Sequence, residues 1–97
     1  MANVHQLYVF SVTCQTRDLA VVYCLRSIAE FSQKEINPRI AWGGTKDADW
    51  ERDGGNVTFH FSSAENRELF VKTAQRLLPL NSWSEVMRKD NDPARPQ

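Results

Sequence analysis

Twice along this chain a strand-like stretch runs almost directly into an apolar stripe of helical period, and that repetition restricts the fold more than any other feature. The first occurrence opens with "HQLYVFSVTC", His5 to Cys14, rich in β-branched and aromatic residues and apolar on much of both faces. Thr16 and Asp18 then offer helix caps, and Val21, Cys24, Leu25, Ile28 and Phe31 recur at helical spacing, which predicts a helix from about Asp18 to Gln33. The second occurrence is "NVTFHFS", where Val57, Phe59 and Phe61 turn to one side and Thr58 and His60 to the other. Ser62 and Glu65 have the spacing of a capping box, and Leu69, Phe70, Ala74, Leu77 and Leu78 supply a stripe that Pro79 ends.

Between the two units, Asn37-Pro38 stops the first helix and "RIAWGG", Arg39 to Gly44, reads as a short strand closed by glycines. After the second helix "SWSEVMR" supplies a last strand. The order β-α-β-β-α-β predicts an α+β, ferredoxin-like sandwich, an antiparallel four-stranded sheet with two helices on one face. With 97 residues, 41% of them hydrophobic, the chain has material for one core. A single domain over residues 1–88 and a flexible C-terminal tail over 89–97 are expected.

Twelve basic residues balance twelve acidic ones, so no global basic field points to nucleic acid and any electrostatic function is local. The longest apolar run, Leu19 to Leu25, is short for a membrane span, and the N-terminus lacks the layout of a signal peptide, which makes the cytoplasm the expected location. Cys14 and Cys24 have neither metal-ligand nor redox-motif spacing and read as buried thiols. There is no phosphate loop, dinucleotide fingerprint, zinc-protease motif or nucleophile elbow, and the two histidines, His5 and His60, lie on separate segments. The reading is therefore non-enzymatic, with no cofactor.

One feature stands apart from this fold. In "TKDADWERDGG" the carboxylates Asp47, Asp49, Glu51 and Asp53 occupy every second position. If the segment is extended they share one face at a spacing of about 6.5 to 7 Å, close to that of successive phosphates on a nucleic-acid strand. Trp50 and Arg52 then face the other way. The segment lacks the ligand order and distal Glu of a calcium loop, so no metal is expected there. A plain solvated connection, with Gly54-Gly55 supplying positive φ, is the alternative.

Two resemblances bear on function. "LYVFSV", Leu7 to Val12, and "GGNVTFHF", Gly54 to Phe61, resemble the short and long strand motifs of RNA recognition motif domains. Asn56 and Thr58 stand where that family stacks bases on aromatic rings, which leaves Tyr8 as its one stacking candidate. In size, acidic stretch and lack of enzymatic motifs the chain also resembles the small phage- and prophage-encoded anti-CRISPR proteins that inhibit type I-F systems. That resemblance implies an inhibitor of the crRNA-guided surveillance complex that blocks target DNA by mimicry, acting as a monomer without binding nucleic acid itself. Asp47, Asp49, Trp50, Glu51 and Asp53 would meet basic residues of a Cas large subunit. The alternatives are a single-stranded nucleic-acid-binding domain and a small dimeric α+β enzyme or ligand sensor.

Overall fold

The computed structural model describes residues 7–33 and 47–94. In chain order the elements are β1 (Phe10–Gln15), α1 (Leu19–Gln33), α2 (Asp47–Arg52), β2 (Asn56–Phe61), α3 (Ala64–Leu77) and β3 (Ser84–Lys89). The three strands form one sheet in the order β2-β1-β3, antiparallel throughout, so the class is α+β as expected. The strand expected at Arg39–Gly44 lies outside the described residues, and the described sheet has three strands rather than four.

Register divides the sheet into two faces. Phe10 opposite Phe61, Val12 opposite Phe59 and Cys14 opposite Val57 build the face that the helices cover. Ser11, Thr13 and Gln15 meet His60, Thr58 and Asn56 on the other face, where the hydroxyls of Thr13 and Thr58 share a hydrogen bond of 2.8 Å. The alternation of "NVTFHF" is therefore realised as the sequence requires: Val57, Phe59 and Phe61 are all buried in the main core.

Helices α1 and α3 pack on each other and on that face. Phe70 of α3 lies between the two β2 rings, its centroid 5.1 Å from Phe59 and 5.2 Å from Phe61, in tilted geometry. Helix α1 buries Val21, Val22, Leu25, Ile28 and Ala29, whereas Cys24 and Phe31 of the expected stripe are exposed. The stripe is rotated by about one residue because "LAVVYCL" is apolar nearly all round, so period alone does not choose the inward side. Helix α3 starts one residue later than the sequence suggests. Ser63 is its N-cap and its hydroxyl accepts the Asn66 N–H at 3.0 Å, while Leu77 at the far end is exposed.

Polar side chains tie the helices to strand ends. Asn66 donates to the carbonyl of Gln33 at 3.0 Å, and the buried Gln33 amide donates to the carbonyl of His60. Arg67 is buried although it is charged. Its Nη1 donates to the carbonyl of Lys89 at 2.9 Å and pairs with Asp90 at 2.7 Å, and its guanidinium lies 5.6 Å from the centre of the Phe10 ring. Such partners are what make a buried cation tolerable.

Lys89 is the last residue of β3, and the chain beyond it lies beside the residues that precede β1. The N–H groups of Asp92 and Ala94 donate to the carbonyls of Val9 and Tyr8 at 2.9 and 3.0 Å. Among the described residues no helix is long and apolar enough to cross a membrane.

The core makes a direct prediction. Phe70→Ala removes the ring shared by both β2 aromatics and should destabilise the fold by about 3–5 kcal/mol in urea unfolding. Leu80→Ala, at a side chain 92% exposed, should change it by less than about 0.5 kcal/mol.

Candidate functional site

The acidic segment is helical, so the single-faced ladder that an extended backbone would give does not form. From Lys46 to Asp53 there is no β-branched residue, Ala48, Glu51 and Arg52 are good helix formers, and Asp47 and Asp49 sit in the first turn where the helix dipole favours negative charge. Arg52 pairs with Asp49 three residues back. At about 100° per residue, neighbours at i and i+2 fall on opposite sides of a helix and those at i and i+4 on the same side. The four carboxylates thus form two short rows, Asp47 with Glu51 and Asp49 with Asp53. Ala48 and Arg52 lie between the rows, opposite Trp50.

Trp50 turns inward, away from the carboxylate rows. It is half-buried, packs against the main core and donates its indole N–H to the carbonyl of Thr16 at 2.9 Å. The two glycines then turn the chain out of α2. Gly55 N–H reaches back to the Trp50 carbonyl at 2.9 Å and Gly54 N–H to that of Glu51 at 3.4 Å, the paired bonds of a Schellman ending with Gly54 in the left-handed region. Gly55 has φ of 97° and a further constraint, since a Cβ there would stand 2.9 Å from the carbonyl oxygen of Thr16.

Thr16 is the meeting point of three connections. Its N–H donates to the Gly55 carbonyl at 3.0 Å, its carbonyl receives Trp50, and its hydroxyl donates to the carbonyl of Ser82 at 2.8 Å while accepting the Asp18 N–H at 3.2 Å. Asp18 in turn caps α1, its carboxylate accepting the Ala20 N–H at 2.9 Å. An open recess lies on either side of Arg17 here, one lined by Trp50 and Glu51, the other by Asn81 and Trp83.

The four carboxylates are not equivalent. Asp47 accepts the hydroxyl of Tyr23 at 2.7 Å, and that hydrogen bond raises the phenol pKa above its ordinary value. Asp49 is engaged by Arg52. Glu51 and Asp53 are exposed and make no side-chain ion pair among the described residues.

The other candidates are dispersed. His60 does take the outer face of β2, but it is buried, with Nε2 3.3 Å from a carboxylate oxygen of Asp92. Tyr8, the stacking candidate, is only 7% exposed and packs with Ala94. Asn56 and Thr58 do stand on the outer face. Cys14 is buried, which pushes its thiol pKa up, with the Glu85 charge acting the same way, whereas Cys24 is exposed instead of the buried thiol expected. His5 lies outside the described residues. Among the described residues no three His, Cys, Asp or Glu side chains are grouped to hold a metal ion. The anchoring role of Thr16 was not legible beyond its cap-like position, because its partners are 34 to 66 residues away.

No family model, curated protein or solved structure matches this chain.

Two measurements probe this site. Gly55→Ala should destabilise the protein by about 2–3 kcal/mol, since strain and a backbone clash combine, and Gly54→Ala, with open space around it, by about 1–2 kcal/mol in the same unfolding assay. In a spectrophotometric titration Tyr23, identified by comparison with Tyr23→Phe, should ionise at higher pH than a free tyrosine, and Asp47→Ala should remove the shift. Because the folded value is the raised one, the stabilisation is fully present below the ordinary pKa of 10.0 and is lost as pH climbs through the raised value.

Proposed function

We propose that this chain is a non-enzymatic binding protein that docks α2 against a basic surface of a nucleic-acid-handling protein and so inhibits it. The observation that carries the reading is a short helix fastened from below by Trp50 and the Schellman turn, with Glu51 and Asp53 exposed on its two rows. A pre-organised acidic element loses little freedom on binding, and a complementary charged partner is steered to it. Along a helix, residues four apart are separated by about 6 Å, so each row keeps a spacing near that of backbone phosphates even though the single ladder is gone.

The resemblance to type I-F anti-CRISPR proteins supplies a specific partner, the DNA-binding surface of the surveillance complex with its Cas large subunit. Asp47, Asp49, Glu51 and Asp53 would occupy the basic residues that grip target DNA, with Trp50 chiefly as the anchor of the helix. For the fold itself we extend the described sheet to the four-stranded ferredoxin-like plan. The order β2-β1-β3 with antiparallel neighbours is what that plan gives its third, first and fourth strands, and α1 and α3 lie on one face, which supports it. Arg39–Gly44 would then add the remaining strand beside β2.

The test is capture of the tagged protein by a type I-F surveillance complex, with and without target DNA, over a salt series. Capture by the DNA-free complex alone, weakening as salt rises and falling at least about tenfold in Glu51→Gln/Asp53→Asn, is expected. Asp49→Asn, whose charge is already shared with Arg52, should weaken it less. Binding that ignores both salt and all four neutralisations would sink the reading.

A further inference from the structure

The strand β3 offers an open sheet edge. Each of its six residues, Ser84 to Lys89, is exposed, and among the described residues β1 alone pairs with it. Its centre is apolar: Val86 and Met87 are 49% and 48% exposed. An unpaired row of backbone donors and acceptors with apolar side chains at its midpoint is a template for another strand.

The charges say which strand fits. Pairing with β1 is interrupted by a bulge between Thr13 and Cys14, so that Val12 faces Arg88, Thr13 faces Met87 and Cys14 faces Glu85, with Val86 the extra residue. Without a bulge, Glu85 and Arg88 would point to opposite faces of the sheet. With it both share the helix-covered face of Val12 and Cys14, and Arg88 grips Glu85 with two bonds of 2.7 and 3.0 Å and reaches Glu68 of α3 at 3.2 Å. Bulges ordinarily discourage edge pairing by twisting the strand, but this one also makes the segment self-complementary. When a second β3 is laid antiparallel about a two-fold axis between Val86 and Met87, Glu85 meets Arg88 of the other copy on one face. On the other face Ser84 meets Lys89, and at the centre Val86 stands opposite Met87. Acid faces base at both ends and apolar faces apolar at the centre, and no like charges oppose one another.

We propose that two copies of this protein associate through β3 in this register, joining their sheets into one continuous sheet. The interface is isologous, as closed two-fold pairing requires. It lies on β3, whereas the acidic helix α2 contacts β2, so a pair of copies would carry two acidic helices. This departs from the monomer expected from the sequence, where "SWSEVMR" reads only as a last strand.

The decisive experiment is sedimentation velocity of the full chain over a concentration series up to about 100 µM, since self-association must follow mass action. A concentration-dependent dimer is expected, and Val86→Lys/Met87→Lys, at side chains already exposed in one copy, should weaken it by at least about tenfold. The register has its own test. Glu85→Lys alone places cations opposite Arg88, and Arg88→Glu alone places carboxylates opposite Glu85, so each variant should be monomeric. Mixed, the two variants restore opposite charge at every contact and should form a heterodimer. A wild type that stays monomeric throughout, a dimer indifferent to the two lysine substitutions, or a mixture that associates no better than its components would each overturn the proposal.

Discussion

The hydrogen bonds of Thr16 are the junction on which the arrangement at one end of this molecule depends. Three connections, from β1 to α1, from α2 to β2 and from α3 to β3, converge on one buried residue: its N–H and carbonyl hold the second, through Gly55 and Trp50, and its hydroxyl holds the third through Ser82 while accepting the Asp18 N–H of the first. A buried polar backbone group left unpaired is expensive, so every partner is held to a narrow range of positions. Trp50 is placed by this requirement, and with it the whole of α2. Gly55 is equally constrained, because only a residue without Cβ brings its chain close enough for the Thr16 N–H to be satisfied.

At the other end of the sheet an analogous junction is ionic. Arg67 is drawn inward from α3, where its guanidinium joins the end of β3 to the body of the protein through Lys89 and Asp90. Between these two junctions lies the apolar layer of Phe59, Phe61 and Phe70. In the described sheet the central strand β1 carries both ladders, and α3 ties β2 and β3 together from the covered face through Phe70, Arg67 and Glu68. Among the described residues β3 is paired along its inner edge alone, with Val86 left over at the bulge.

Much of the fold was legible in local pattern. The period-two run of β2, the capping aspartate of α1 and the proline that ends α3 are readable because backbone geometry alone sets which residues share a face or close a helix. The misreadings have one common cause. The inward side of α1 and the degree of burial of His60 and Tyr8 depend on which distant segment covers them, and periodicity carries no information about that. The alternating carboxylates were a more instructive case. Their spacing fits a strand, but the absence of β-branched residues and the strong helix formers between them outweigh it.

What the sequence by itself determined is the α+β class, the core residues of β2, the ends of α1, the proline stop after α3 and the gathering of four carboxylates in one short segment, because these follow from side-chain period, capping chemistry and composition. Tertiary structure decided that Asp47 is engaged by Tyr23 of α1, that Trp50 is held beneath α2 by the Thr16 carbonyl, and that a bulge turns Glu85 and Arg88 to the same face. Each of these depends on contacts or pairings that a local pattern does not specify, made across the molecule or within a backbone geometry that long-range packing selects.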